Sequence, residues 1–280
     1  MTTTKSSLLK KLFTSISIVV LAFSLTVPAS AVNSVTGGYF GISSYSYCGY
    51  GNRAGVSYVY NLSTSLAGVS LNNNNLQYTE SYRAINNDVT TTNIAGASQV
   101  TFFVYSGHGL NYSATSNALH VNKPSSGTTT SHSTLGENTS TLINLKTIST
   151  SFCHKYVTLY TCNQLTNSGN STKAVNILGM MNGTRLIMGF ASTMYLDSRE
   201  GTLYGTNMEY YTIVNSYIYA AQRYQPQRSS GDSIARVVGY TAASSDNILA
   251  NYSYAPSYSS SPSSFDVIST VTIPHTGVLV

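Results

Sequence analysis

The sequence predicts an α/β protein, built as a three-layer sandwich around a mainly parallel central sheet. Three short runs of apolar and β-branched residues, each ending at small or turn-forming residues, have the composition of strands buried on both faces. They cover residues 100–105, 156–160 and 184–190. Apolar side chains at helical spacing over residues 173–181 separate the second run from the third. Strand, helix and strand in this order favour right-handed parallel crossovers.

The other elements have weaker signals. Three segments have the apolar and aromatic content of short strands, and they cover residues 39–42, 118–121 and 267–273. Three segments place apolar side chains at helical spacing, and they cover residues 53–67, 206–224 and 233–242. The last of these helices begins after Asp232, a residue type favoured at the N-cap. The polar stretch 111–140 otherwise has the composition of a surface loop.

The N-terminus has the pattern of a secretory signal peptide. Three lysines precede an apolar run over residues 12–25, and Ala29 and Ala31 form a cleavage site of the Ala-x-Ala kind. The apolar run is about fourteen residues long and contains serines, whereas a membrane span needs roughly 20 apolar residues. We therefore expect a signal peptide over residues 1–31, cleavage after Ala31, and a secreted protein.

The mature chain is long enough for one large domain with its own apolar core. We assign residues 32–251 to this domain. Residues 252–280 form a tail rich in Ser, Pro and Tyr, with a final strand that we expect to pack on the domain. No segment after the leader is apolar enough to cross a bilayer.

Charge and motif content exclude several classes of partner. Three of the 14 basic residues lie in the leader, which leaves 11 basic against 9 acidic residues and no basic cluster, so a nucleic-acid partner is not expected. His154 beside Cys153 has no second Cys/His pair at zinc spacing, and the His-Glu-x-x-His motif is missing. No glycine-rich phosphate loop stands between a strand and a helix. We therefore expect neither a metal nor another cofactor.

The three cysteines, Cys48, Cys153 and Cys162, are an odd number for a chain bound for an oxidising compartment. One reading pairs Cys48 with Cys153 and keeps Cys162 as a thiol. The other leaves all three as thiols. The sequence does not choose between these two readings.

The residues able to carry chemistry follow two of the buried strands. His108 comes three residues after the strand that ends at Tyr105, and Cys162 comes two residues after the strand that ends at Tyr160. Parallel strands deliver their loops to the same edge of an open sheet, where functional groups gather. If the two strands are neighbours, an acid/base group and a nucleophile meet at that edge.

Both segments resemble those of a known peptidase family. Residues 103–109, Phe-Val-Tyr-Ser-Gly-His-Gly, resemble the strand and Ser-Gly-His-Gly block of the caspase-like (clan CD) cysteine peptidases, which include caspases, metacaspases and gingipains. Residues 157–162, Val-Thr-Leu-Tyr-Thr-Cys, are similar to their strand ending in the nucleophilic cysteine. The histidine lies 54 residues before the cysteine, and the caspase pattern has about 50. Residues 183–190 are similar to the strand that follows the cysteine helix in these families.

The resemblance implies a caspase-like fold over about residues 36–242 and a role for each residue. Cys162 would attack the carbonyl of a protein or peptide substrate, and His108 would give a proton to the leaving amine. The backbone N–H groups of Gly109 and Cys162 would bind the oxyanion, because glycine lets the backbone come close without a side chain in the way. No metal is needed for this chemistry.

Two departures from the family leave the cleavage specificity open. The caspase Gln-Ala-Cys motif is replaced by Tyr160-Thr161-Cys162, and the metacaspase aspartate two residues before the cysteine is replaced by Tyr160. Three acidic residues after the strand 184–190 are candidates to line a specificity pocket instead, and they are Asp197, Glu200 and Glu209.

The leading hypothesis is therefore a secreted cysteine endopeptidase that acts on extracellular or envelope proteins. One alternative is a noncatalytic binding or surface-adhesion module on the same fold. Another is an acyl-transfer enzyme of the transpeptidase type that uses the same dyad. Thiol reactivity separates the enzymes from the binding module, since a working nucleophile has a lowered pKa and a structural cysteine is inert.

Overall fold

A computed structural model of the chain describes residues 32–43, 54–90, 93–94, 97, 100–113, 116–120, 142–144, 154–166, 183–227, 231–255 and 266–276. These residues belong to one compact unit, Val32–Val280. The segment expected to be a signal peptide, Cys48, Cys153 and the helix expected at residues 173–181 lie outside the described residues. Among the described helices, none combines the length and the apolar character that a bilayer span requires.

The described strands form two sheets. In chain order they are β1 (Asn33–Gly41), β2 (Leu76–Ile85), β3 (Phe102–Ser106), β4 (Gly109–Ser113), β5 (Ser116–His120), β6 (Leu142–Asn144), β7 (Tyr156–Tyr160), β8 (Leu186–Phe190), β9 (Ser233–Gly239) and β10 (Asp266–Ile273). Seven of them form one sheet in the order β10-β9-β8-β7-β3-β1-β2, and β4, β5 and β6 form a small antiparallel sheet. In the large sheet, β2, β1, β3, β7 and β8 are parallel, and β9 and β10 extend it in antiparallel pairing. The α/β class and the mainly parallel sheet are therefore confirmed.

Three helices cover one face of this sheet: α1 (Gly55–Asn72), α2 (Ser198–Asn207) and α3 (Ile213–Tyr224). Their apolar side chains join alternate strand residues, such as Phe102 and Val104 of β3, in one buried cluster. Gly201 and Gly205 let α2 pack closely on α1, since a Cβ on Gly201 would lie 2.5 Å from the Tyr58 carbonyl oxygen. Because residues of a strand point alternately to opposite faces, Phe103 and Tyr105 enter a second apolar cluster on the other face.

The helix expected over residues 233–242 is wrong, because residues 233–239 form strand β9. In the sequence Ser-Ile-Ala-Arg-Val-Val-Gly, buried Ala235 and Val237 alternate with the half-buried Ile234 and Arg236. This alternation has the period of a strand, and β-branched residues fit the pleated sheet well. Pairing with both β8 and β10 therefore overrides the N-cap signal of Asp232.

Other expected elements have different limits in the structure. The helix expected over residues 206–224 is two helices, since α2 ends at Asn207 and α3 begins after Thr212, whose side chain caps it by accepting the Asn215 N–H. The polar stretch after His108 includes strand β4 as well as β5. Strand β2 was not expected from the sequence. It lies at the sheet edge and most of its side chains remain partly exposed, so its sequence lacks the apolar run that marks a buried strand. The strands expected at residues 39–42 and 267–273 coincide with the end of β1 and with β10.

A buried ion pair joins the amino ends of β7 and β8 to the chain beyond β9. Arg185 donates to both carboxylate oxygens of Asp246, from Nε at 2.5 Å and from Nη2 at 2.8 Å. The Asp246 side chain has no exposed surface, and Tyr156 donates its hydroxyl to Asp246 Oδ2 at 3.0 Å. The Tyr252 ring packs against the guanidinium of Arg185 at 4.9 Å. The ion pair therefore holds the first residues of β7 and β8 to the segment after β9, at the end of the sheet where the parallel strands begin.

We expect Asp246→Ala to lower the free energy of unfolding by about 3–5 kcal/mol, because it leaves the Arg185 charge buried without its partner. The matched control is Arg83→Ala, which removes the partly exposed partner of Glu80 and should cost no more than about 1 kcal/mol for that pair. Urea denaturation of both variants measures the difference. Equal losses in the two variants would contradict the role assigned to Asp246.

Candidate active site

The site begins with the pairing of β3 and β7. The two strands are parallel neighbours, and Ser106 at the end of β3 lies opposite Tyr160 at the end of β7. His108 follows Ser106 by two residues, and Cys162 follows Tyr160 by two residues. The expectation that these strands are parallel neighbours is therefore confirmed. Because His108 and Cys162 follow paired residues by the same number of positions, their loops leave the sheet side by side.

The loop that carries His108 contacts the cysteine loop on both sides of the histidine. Before it, the Gly107 N–H donates to the Tyr160 carbonyl oxygen at 3.4 Å. After it, Gly109 lies so close that an added Cβ would stand 2.4 Å from the Cys162 carbonyl oxygen. The Tyr105 hydroxyl donates to the His108 carbonyl oxygen at 3.1 Å, which holds the turn between the two glycines. Position 109 therefore requires glycine for steric reasons.

Cys162 is a half-buried thiol on the loop after β7. The Met194 N–H donates to the Cys162 sulfur at 3.4 Å, and the Cys162 thiol donates to the Met194 carbonyl oxygen at 3.9 Å. The backbone of Met194 therefore contacts the sulfur with both its N–H and its carbonyl group. The next residue, Asn163, has a positive φ of 61° and donates its N–H to the Ser192 carbonyl oxygen. The chain after β8 therefore runs along the cysteine loop.

A network of buried polar side chains lies behind the cysteine loop. The Tyr160 hydroxyl donates to Glu200 Oε2 at 2.9 Å and accepts the Asp197 N–H at 2.9 Å. Gln225 Nε2 donates to the same Glu200 oxygen at 2.7 Å. The ring of Tyr58 stacks on that of Tyr160, with centroids 3.7 Å apart. Tyr160 thus couples β7 to α2 through its hydroxyl group.

Burial determines the protonation of this network. Glu200 is only 1% exposed, and desolvation raises the pKa of its carboxyl group to about 8 despite the hydrogen bonds from Gln225 and Tyr160. Desolvation and the nearby Glu200 also raise the pKa of the Tyr58, Tyr160 and Tyr217 hydroxyls. The network is therefore largely uncharged near neutral pH.

The three acidic residues expected to line a specificity pocket have different surroundings. Asp197 caps α2 by accepting the Arg199 N–H, and its carboxylate also pairs with the Arg199 guanidinium. Glu200 lies within the buried network. Glu209 lies half-buried in the turn after α2, where its carboxylate interacts with the Tyr210 hydroxyl. Asp197 and Glu200 thus belong to the structure that supports the cysteine loop, and their part in substrate selection stays a prediction.

No group of three potential metal ligands is found in the part of the chain that the structure describes. His154 is instead a buried packing residue. Its Nδ1 lies 2.7 Å from the Val100 carbonyl oxygen, and its ring packs against Phe103. Desolvation lowers the pKa of His154 to about 4, so the imidazole is neutral at physiological pH.

These features define an α/β protein whose histidine and cysteine occupy the loops after two adjacent parallel strands. The chain belongs to the family described as "Domain of unknown function (DUF6345)", which matches residues 75–269. The match covers more than two thirds of the chain and includes His108, Cys162, Glu200 and Gln225. No curated protein matches the chain.

We expect Gly109→Ala to lower the free energy of unfolding by about 1–3 kcal/mol, because the added methyl group overlaps the Cys162 carbonyl oxygen and forces the two loops apart. Gly68→Ala on α1 is the matched control. A Cβ there meets no atom within 4 Å, and alanine should stabilise the helix by about 0.5–1 kcal/mol. Urea denaturation measures both, and a neutral Gly109→Ala would show that the loops do not need this close contact.

Glu200 should also give the stability a distinct pH dependence. Because its pKa rises from 4.5 to about 8 on folding, the folded protein binds an extra proton between these pH values. This contribution to stability is complete below pH 4.5 and is lost as the pH rises towards 8, at up to ~1.4 kcal/mol per pH unit.

The isosteric variant Glu200→Gln is neutral at every pH and lacks this dependence. The stability of Glu200→Gln relative to wild type should therefore increase as the pH rises from about 5 to 8. Urea denaturation of the two proteins at matched pH values isolates this effect, because all other titrating groups are shared. A difference that does not change with pH would refute a raised pKa at Glu200.

Proposed function

We propose that the chain is a secreted, caspase-like cysteine endopeptidase in which Cys162 is the nucleophile and His108 the acid/base group. The observation that carries the proposal is the contact between their loops: His108 and Cys162 follow in-register neighbouring strands, and Gly109 packs directly on the Cys162 carbonyl group. A nucleophile and an acid/base group at one sheet edge are the minimum that acyl transfer requires.

The reaction follows from the groups at this edge. The Cys162 thiolate adds to the carbonyl carbon of the scissile peptide bond and forms a tetrahedral oxyanion. The C–N bond then breaks, His108 as imidazolium gives its proton to the leaving amine, and a thioester remains on the sulfur. Neutral His108 next takes a proton from a water molecule, whose oxygen attacks the thioester. A second tetrahedral oxyanion collapses, releasing the carboxylic acid and the Cys162 thiolate.

The backbone supplies the electrostatic part of the proposed mechanism. The N–H groups of Gly109 and Cys162 are the proposed oxyanion donors, and losing one such donor typically costs about 100-fold or more in rate. The Met194 N–H at the sulfur favours the thiolate over the thiol. No step in this scheme requires a metal ion.

The finer fold assignment and the localisation belong to the same proposal. A caspase-like three-layer sandwich is supported by the two resembling blocks and by their place on β3 and β7, which are the adjacent central strands. Secretion is supported by the Ala-x-Ala pattern before residue 32. The proposed substrates are therefore extracellular or envelope proteins.

The deciding experiment measures the reactivity of Cys162 and the cleavage of peptides with the purified protein. Iodoacetamide at pH 6.5, with labelled sites assigned by mass spectrometry, should modify Cys162 much faster than Cys48 or Cys153. An ordinary thiol has a pKa of ~8.5, so it is almost fully protonated and slow to react at this pH. His108→Ala should slow this labelling, whereas His132→Ala, a histidine of the polar stretch 111–140, should not change it.

Peptide cleavage then separates the proposed peptidase from its alternatives. A mixed peptide library should be cut by the wild type and by His132→Ala but not by Cys162→Ala or His108→Ala. Ligated peptides without net hydrolysis would replace the endopeptidase with a transpeptidase. If Cys162 reacts no faster than the other cysteines, or if Cys162→Ala still cleaves, the enzyme proposal fails and the binding module replaces it.

A further inference from the structure

The side chain of Gln225 pairs with the backbone of Tyr195 as a neighbouring strand would. The Tyr195 N–H donates to Gln225 Oε1 at 2.8 Å, and Gln225 Nε2 donates to the Tyr195 carbonyl oxygen at 2.9 Å. Gln225 follows α3 directly and is 1% exposed. One buried side-chain amide therefore supplies hydrogen bonds to both the N–H and the carbonyl oxygen of Tyr195, a residue outside the regular sheet. Leaving these buried backbone groups without hydrogen bonds would cost stability.

The surroundings allow only one orientation of the Gln225 amide. Its Oε1 also accepts the Ser233 hydroxyl at 3.2 Å, and its Nε2 also donates to Glu200 Oε2 at 2.7 Å. Rotating the amide by 180° would direct its oxygen at the carboxyl oxygen of Glu200 and at the Tyr195 carbonyl group. The network thus fixes Tyr195 in place through contacts from three separate elements, α2, β9 and the end of α3.

Tyr195 directly follows Met194, whose N–H donates to the Cys162 sulfur. A second connection runs from Glu200 to the hydroxyl of Tyr160, two residues before the cysteine. The contacts therefore form a closed ring that leads from Cys162 through Met194, Tyr195, Gln225, Glu200 and Tyr160 back to the cysteine loop. No member of this ring except Cys162 belongs to the proposed dyad.

We propose that Gln225 and Glu200 are positioning residues that hold the Met194 N–H against the Cys162 sulfur and so keep the thiolate populated. This inference rests on the proposed role of Cys162 as the nucleophile and deepens it. Since burial keeps Glu200 largely neutral, the ring places no second negative charge behind the thiolate. If the amide is lost, the Tyr195 N–H loses its acceptor, and the Tyr195 carbonyl oxygen keeps the hydrogen bond from the Tyr160 hydroxyl at 3.2 Å. Tyr195 is then held on one side instead of two, and the hydrogen bond from Met194 to the sulfur loses its alignment.

The test is Gln225→Met, which keeps the length of the side chain and removes all four hydrogen bonds of its amide. The rate of iodoacetamide labelling at Cys162, followed from pH 5 to 10, gives the apparent pKa of the thiol. We expect this pKa to rise by about one unit and the rate at pH 6.5 to fall several-fold, since a hydrogen bond to a charged group is lost.

Gln227→Met is the matched control, because Gln227 lies in the same short turn and contacts Arg199 rather than Tyr195. In Gln227→Met, the labelling rate of Cys162 should depend on pH as it does in the wild type. Circular dichroism and urea denaturation establish that each variant is folded. An unchanged profile in folded Gln225→Met, or an equal shift in both glutamine variants, overturns the proposal.

A milder pair of variants decides the question if Gln225→Met does not fold. Ser233→Ala removes one of the hydrogen bonds that orient the Gln225 amide, and a smaller rise in the same thiol pKa is expected. Ser216→Ala removes a buried hydroxyl that donates to the carbonyl oxygen of Thr212, the N-cap residue of α3, and should leave the pH profile unchanged. An unchanged profile in Ser233→Ala then overturns the inference. If wild-type Cys162 itself shows no selective reactivity, the proposed function has failed, and this inference fails with it.

Discussion

The parallel pairing of β3 with β7 determines where the loops that carry His108 and Cys162 lie. Because the register sets Ser106 opposite Tyr160, the two following loops leave the sheet at the same height. A slip of one residue would turn Phe103 and Tyr105 from one apolar cluster into the other, since side chains alternate between the faces. The burial of these aromatic residues therefore fixes the contact between the loops that carry His108 and Cys162 as firmly as it fixes the core.

The support for this meeting comes from parts of the chain that are distant in sequence. Residues after β8 contact the cysteine sulfur through the backbone, and the end of α3 and the start of β9 hold those residues in turn. The side chains involved are polar yet buried, so each must find its partner within the fold. Such a network tolerates few rearrangements, because a partly satisfied buried polar group costs more than an apolar one.

Sequence patterns predict the centre of this protein better than its periphery. The strands β3, β7 and β8 are buried over their whole length and consist almost entirely of apolar, aromatic or β-branched residues, so they are recognisable without their neighbours. Strand β9 and the edge strand β2 depend on tertiary pairing, which local propensity does not contain. The place of the His108 and Cys162 loops at one end of the sheet was predictable, because each loop follows a recognisable strand, and the chemical roles of the two residues stay a prediction. Met194 and Gln225 were not, since a backbone N–H has no sequence signature and a glutamine after a helix is usually solvated.

The buried pair of Arg185 and Asp246 lies at the opposite edge of the sheet from the histidine and cysteine loops. It joins β7 and β8 where they begin, whereas the loops that carry His108 and Cys162 follow β3 and β7 where these strands end. The ion pair and the two loops are therefore separated by the length of the strands. A substitution in either loop leaves the hydrogen bonds between Arg185 and Asp246 intact, so the change in stability that such a substitution causes reports the loop contacts themselves.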